Sequence, residues 1–261
     1  MANNDTISKT IIVATLLCVV CSVVVSTAAV MLKPAQVENK QLDFKRNILS
    51  AAGMLQQGVK VEEQFKAVDV KIVDLETGKY ADPSVIEGDI ARYDQVKAAK
   101  EPSMSVPVPD EADIAKVGTR EKYAKIYIAT NEQGKKIVVL PVRGYGLWGT
   151  LYGFLAVEGD MNTVVGLGFY DHKETPGLGG EVDNPRWKSI WEGKKLFDDN
   201  GDVAISVVKG AVDPQANNAE YKVDGLSGAT LTTKGVHNLI QFWLGEEGYG
   251  PFIANMKKGK A

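Results

Sequence analysis

From Thr10 to Leu32 the chain carries no Asp, Glu, Lys or Arg. This apolar run of about 23 residues, bracketed by Lys9 and Lys33, exceeds the roughly 20 that a helix needs to cross a hydrocarbon core. A secretory signal has a shorter apolar core, roughly 7–15 residues. Ala28-Ala29 resembles a cleavage site, but the length favours an uncleaved anchor at 10–32, with 1–9 as a short tail. Counting Lys and Arg at each end sets Lys9 and the amino terminus against Lys33, Lys40, Lys45 and Arg46, which by itself puts the large C-terminal part in the cytoplasm.

Both cysteines, Cys18 and Cys21, fall inside the apolar run, so no disulfide braces the soluble part. Their i, i+3 spacing with no other nearby ligand reads as packing in a membrane helix rather than as a metal or redox pair. A net charge of −3 with only two histidines argues against a nucleic-acid binder, which needs a basic face. It also leaves little material for a histidine-rich metal site. The residues beyond the anchor suffice for one soluble domain with a real core.

Within that domain, Gln41–Gln56 has the apolar spacing of an amphipathic helix ended by Gly58, a stalk within 33–58. Residues 59–120 form an accessory part. There Val68–Leu75 alternates like a strand, and 101–110, with Pro102, Pro107 and Pro109, is extended, a linker or a lid. From 121 to 261 the pattern is that of an antiparallel sheet with flanking helices. Ala124–Ala129 and Ile137–Val142 flank the turn residues Asn131-Glu132-Gln133-Gly134, and Leu151–Val157 pairs with Val164–Tyr170. Val203–Val208 reads as a strand, Pro185–Glu192 as a short helix, and a second helix starts near Thr233. The class is therefore α+β. The strands do not alternate with helices, and the glycines at 144, 146 and 149 lead into another strand rather than a helix, which argues against a dinucleotide Rossmann site.

Three glycine-rich segments and one lysine are the candidate site. In Asp224-Gly225-Leu226-Ser227-Gly228-Ala229-Thr230, a hydroxyl-rich turn precedes a helix whose apolar members are Val236, Leu239, Ile240, Trp243 and Leu244. Free N–H groups and the positive end of the helix dipole make such a turn a place for a phosphate; an ordinary Ser/Thr N-cap is the plain alternative. In Arg143-Gly144-Tyr145-Gly146-Leu147-Trp148-Gly149 the glycines let an aromatic plane lie against backbone, and Tyr145 or Trp148 can stack on a planar ligand. The same residues also suit a Gly-rich turn with a core aromatic. His172-Lys173-Glu174-Thr175-Pro176-Gly177-Leu178-Gly179-Gly180 is a loop that would present backbone N–H groups and the Glu174 and Thr175 side chains to a ligand. His172 reads as a supporting residue and no metal site is expected. Lys209, at a strand end, can neutralise a phosphate or simply face solvent.

Asp224-x-x-Ser227-Gly228-Ala229-Thr230 matches the flavinylation motif Asp-x-x-(Ser/Thr)-Gly-Ala-(Ser/Thr), and Glu174-Thr-Pro-Gly-Leu-Gly179 matches a second signature of FMN-binding domains. With Gly144-x-Gly146-Leu-Trp148 ahead of them, a single span and the opening Met1-Ala2-Asn3-Asn4-Asp5, the chain resembles the C-subunit family of the bacterial sodium-translocating NADH:quinone oxidoreductases. The resemblance implies FMN joined by a phosphoester to Thr230, with the three segments lining its pocket and Asp224 serving recognition or capping the turn. It implies an electron-carrying subunit of a translocase rather than an independent catalyst. Its partners would be the other subunits, above all the flavin-bearing B subunit, the membrane lipid, and a separate flavin transferase using FAD and Mg²⁺ for maturation. It further implies a bacterial inner-membrane protein with the flavin domain on the periplasmic side, against the charge count. The span holds no carboxylate for sodium, so ion transport would reside in partners. Alternatives are the G subunit of the related Rnf ferredoxin-linked complex, which shares the flavin motifs, and a non-redox membrane-anchored binding module.

Overall fold

The structure, a computed structural model, describes residues 6–86 and 89–261; the opening Met1–Asp5 and the start of the 1–9 tail lie outside the described residues. It divides into two units, up to Phe44 and from Lys45 to Ala261. Helix α1, Ile7–Ala51, runs without interruption through the apolar stretch and on past Pro34. It is long and apolar enough to cross a membrane, with a mean hydropathy of 2.6 over its most apolar window.

The stalk is thus not a separate helix, and its end differs from expectation. Met54 N–H donates to Leu49 O at 2.8 Å and Gly53 N–H to Ser50 O at 3.0 Å, while Gly53 takes φ +64°. This paired closure over a left-handed glycine ends α1 at Ala51, five residues before the expected end at Gln56. Ile48 and Leu49 are buried, so the last turn of α1 belongs to the core of the second unit.

The remaining elements, in chain order, are α2 (Val61–Phe65), β1 (Asp69–Asp74), β2 (Lys79–Tyr80), α3 (Gln95–Ala98), β3 (Ser105–Pro107), β4 (Thr119–Glu121), β5 (Tyr123–Thr130), β6 (Lys136–Tyr145), β7 (Thr150–Glu158) and β8 (Val164–Asp171). They are followed by α4 (Pro185–Ser189), β9 (Ser206–Val207), β10 (Lys222–Val223), α5 (Thr230–Leu244) and α6 (Gly250–Lys257). Six strands form one antiparallel sheet in the order β2-β1-β5-β6-β7-β8. The β5–β6 turn closes as its residues dictate: Asn131 Oδ1 accepts from Gln133 N and Lys135 N, and Gly134 takes φ +75°.

Four expectations are corrected. A boundary at residue 120 would cut the sheet, because β1 pairs with β5 over six residues. The proline-rich 101–110 contains β3, paired with β4. The strand expected over Val203–Val208 is reduced to Ser206–Val207, paired in parallel with β10, and the helix over Pro185–Glu192 stops at Ser189.

Strand β6 is buried from Ile137 to Gly144, which means that both faces of the sheet are covered. On one face, Phe65, Tyr127, Phe154 and Tyr170 touch ring to ring in sequence, 5.0 to 6.2 Å between centroids. The other face carries α5, whose Val236, Leu239, Ile240 and Trp243 are buried. Trp243 Nε1 donates to Arg143 O at 2.7 Å and the Tyr249 hydroxyl to Pro141 O at 2.9 Å. These bonds fix the last turn of α5 and the start of α6 over the second half of β6.

Candidate functional site

Helix α5 starts at Thr230, three residues earlier than its apolar spacing predicts. Ala229 is the N-cap and makes no side-chain cap bond, so the first-turn N–H groups have no capping side chain and the positive end of the helix faces outward. Gly228 precedes it at φ +72°, a conformation that glycine adopts without the Cβ penalty. Thr230, at the first helical position, is exposed.

The neighbouring hydroxyls have different fates. Thr232 is fully buried and donates to Glu174 Oε2 at 2.5 Å. Thr233 is buried and its Oγ1 accepts from Leu226 N at 3.0 Å. Ser227 is exposed but lies in the turn before the helix.

The two upstream loops meet this turn. Glu174 Oε1 accepts from Leu147 N at 2.9 Å and from Trp148 N at 3.0 Å, which ties the loop after β6 to the loop after β8. A Cβ built on Gly235 would lie 2.6 Å from Tyr145 O and 2.9 Å from Gly146 Cα, so α5 packs directly on that first loop. A Cβ on Gly228 would stand 3.2 Å from Leu178 Cδ2, placing the second loop against the turn. Trp148 (63% exposed), Leu231 (58%), Leu178, Tyr145 and Leu147 thereby present apolar side chains to solvent.

Thr175, Pro176 and Gly177 are exposed beside them, while Gly179 is buried against Glu174 and Thr232. Lys209 is exposed in a loop joined to the turn by Gly225 N–H donating to Gly210 O at 2.9 Å.

Two sequence expectations change. Glu174 does not present its side chain outward; it is buried, and both oxygens are engaged by protein donors. Asp224 does not cap its own turn. Its Oδ1 accepts from Val212 N at 2.8 Å and its carbonyl from Trp187 Nε1 at 2.8 Å, which anchors the start of the motif to α4 and to the loop after β9. His172 does act as a support: its Nδ1 accepts from Glu174 N at 3.2 Å and its Nε2 lies 2.8 Å from Asp183 Oδ2. No group of metal-ligating side chains occurs among the described residues.

Missed by the sequence reading were Leu231, whose exposure completes the apolar rim, and the inward role of Thr232. The only signal was the hydroxyl run Thr230-Leu231-Thr232-Thr233 itself, in which helical geometry puts residues two apart on opposite sides.

A family model described as the FMN-binding domain matches residues 146–245, from the first loop through the end of α5. The C subunit of the Na(+)-translocating NADH-quinone reductase of Pseudomonas aeruginosa is 50% identical over 265 residues, covering 100% of both chains. The chain belongs to the C-subunit family of Na(+)-translocating NADH-quinone reductases. The C subunit of Haemophilus ducreyi is 46% identical, over 98% of this chain and 96% of its own. The crystal structure of Shewanella oneidensis NqrC superposes with a TM-score of 0.76 at 38% identity, covering 85% of this chain and 99% of that one. The Parabacteroides distasonis C subunit gives 0.64 at 30%, covering 85% and 96%. Membership in the C-subunit family favours the quinone reductase over the ferredoxin-linked alternative.

Proposed function

We propose that this C subunit carries FMN as a phosphoester on Thr230 and relays electrons within its complex, as a single-pass protein of the bacterial inner membrane with the flavin domain on the periplasmic side. The observation that carries the reading is the contrast among the hydroxyls: Thr230 is exposed on the uncapped first turn of α5, whereas Thr232 and Thr233 are buried and bonded.

The residues fit the group. A phosphate on Thr230 lies at the positive end of α5, where free N–H groups favour an anion. Lys209, in the adjoining loop, supplies a counter-charge. The apolar rim of Trp148, Leu147, Tyr145, Leu178 and Leu231 suits a planar aromatic group, with Trp148 or Tyr145 as the stacking partner. Backbone of the Thr175–Gly179 loop borders the same rim. When bound, FMN supplies the redox chemistry, and the protein attaches and orients it.

Attachment belongs to a separate flavin transferase. The Thr230 oxygen takes the FMN phosphoryl group from FAD with Mg²⁺, AMP leaves, and the hydroxyl proton passes to a base of that enzyme. The proposed electron acceptor is the flavin of the B subunit. Covalent attachment suits a compartment where a lost FMN could not be replaced, and long domains are often translocated despite flanking charge.

The test is coexpression of the full chain with the flavin transferase, followed by a denaturing gel under ultraviolet light and mass spectrometry of the Thr230 peptide. Thr230→Val should abolish the fluorescent band with the fold retained, and Ser227→Ala should keep the label on Thr230. A label that survives Thr230→Val overturns the assignment, and no label on the unsubstituted chain leaves a non-redox module. Alkaline phosphatase fused to the C-terminus should be active; an inactive fusion would place the domain in the cytoplasm.

A further inference from the structure

Glu174 joins all three site segments through its carboxylate, and it is 5% exposed. It gathers donors from far along the chain: the amides of Leu147 and Trp148, at 2.9 and 3.0 Å, and the hydroxyl of Thr232, at 2.5 Å. Two glycines make room for it. A Cβ on Gly146 would lie 2.5 Å from Glu174 Oε1, and a Cβ on Gly179 would lie 2.6 Å from Oε2. Its backbone is held in turn: Glu174 N–H donates to His172 Nδ1 at 3.2 Å, which leaves Nε2 to carry the ring proton towards Asp183 Oδ2 at 2.8 Å.

The three donors to the carboxylate are all neutral. They satisfy its lone pairs without cancelling its charge, and hydrogen bonds to an ionised acceptor are stronger than neutral ones. Thr232, the hydroxyl donor, is two residues from Thr230, so the charge sits within about one helical turn, roughly 5.4 Å of rise, of the attachment level.

We propose that Glu174 is a positioning residue of the flavin site: an anionic clamp that locks the Leu147–Trp148 backbone to the first turn of α5 and keeps a fixed negative charge beneath the cofactor. This rests on the reading that Thr230 carries FMN. Two consequences separate. The geometric one needs acceptors for two amides and a partner for Thr232. The electrostatic one needs the charge, which opposes electron uptake by a nearby flavin and so holds its potential down.

Two substitutions in the full chain, coexpressed with the flavin transferase, distinguish them. Glu174→Gln keeps an amide oxygen for the Leu147 and Trp148 N–H groups and an NH₂ for Thr232 Oγ1, but removes the charge. Glu174→Ala removes both. In Glu174→Ala, covalent labelling of Thr230 should fall several-fold, and in Glu174→Gln it should return towards that of the unsubstituted chain. The flavin midpoint potential of Glu174→Gln, from a spectroelectrochemical titration, should shift to more positive values.

An unchanged potential in Glu174→Gln overturns the electrostatic role. Full labelling of Glu174→Ala, or labelling lost equally in both variants, overturns the clamp. Thr230→Val in the same series keeps the readings apart: a label that survives it sinks the Thr230 assignment, whereas its loss together with full labelling of Glu174→Ala sinks only the clamp.

Discussion

At the scale of single residues, burial decides which of several similar groups is available for chemistry. Four hydroxyls lie between Ser227 and Thr233, and only the two outward ones are open. Burial also sets the cost of the charges beneath the site. Arg143 Nη1 lies 2.6 Å from Glu121 Oε2, with the two side chains 8% and 0% exposed, and the guanidinium carbon stands 5.4 Å from the centre of the Trp243 ring. Removing one partner strands the other. Glu121→Ala should therefore destabilise the fold by about 3–5 kcal/mol, measured by chemical denaturation; a cost under about 1 kcal/mol would mean that Arg143 finds water instead. His237 gives a pH dependence. Burial holds its imidazole below the usual histidine range, and its Nδ1 accepts from Val207 N at 3.4 Å, a role only the neutral ring can fill. The unfolded chain thus takes up the proton first as pH falls, so this contribution is complete above about pH 6.5 and is lost as pH drops through the lower folded value. His237→Gln should flatten that part of the stability curve, and an unaltered slope in thermal melts between pH 7 and 5 would refute it.

At the scale of elements, tertiary contact outweighs local preference in α5. Replacing Gly235, within α5, by alanine should on propensity alone stabilise the helix by about 1 kcal/mol. The added Cβ would instead meet Tyr145 O at 2.6 Å and Gly146 Cα at 2.9 Å, both backbone. Gly235→Ala should accordingly destabilise by about 1–3 kcal/mol and loosen the Tyr145–Trp148 loop. A raised melting temperature would contradict that packing. Helix α1 differs: Pro34 lies inside it without ending it, and its end is local. The stop comes where Gly53 supplies the left-handed residue that lets Met54 and Gly53 satisfy the last carbonyls.

At the scale of the whole molecule, the unit from Lys45 to Ala261 holds the sheet, both covering layers and all three site loops. A fragment beginning at Lys45 should fold by itself, with a cooperative melt and a labelled Thr230 when coexpressed with the flavin transferase. A fragment beginning at Met54 loses Ile48 and Leu49, exposed by only 1% and 0%, and each such side chain contributes about 1.5–3 kcal/mol. The shorter fragment should melt well below the longer one; equal melting temperatures would show that the end of α1 is dispensable.

The local features were legible in the sequence because each rests on chemistry confined to a few neighbouring residues. The uncharged run, the Asn131–Gly134 turn, the apolar stripe of α5 and the three glycine-rich segments are all of this kind. What only the tertiary structure decided involves partners that are distant in the chain. Nothing near Glu174 says that its carboxylate turns inward to amides 27 and 26 positions earlier and to a hydroxyl 58 positions later. Nothing near Asp224 points to Val212, 12 positions back. Nor does the alternation of β1 reveal that it enters the sheet beside β5. Hydrogen-bonding capacity belongs to a residue type, but its direction is set by whichever donors the fold brings within about 3 Å. Two acidic residues that read as ligand-facing or turn-capping in the sequence are therefore, in the folded chain, ties that hold the candidate site's loops in place.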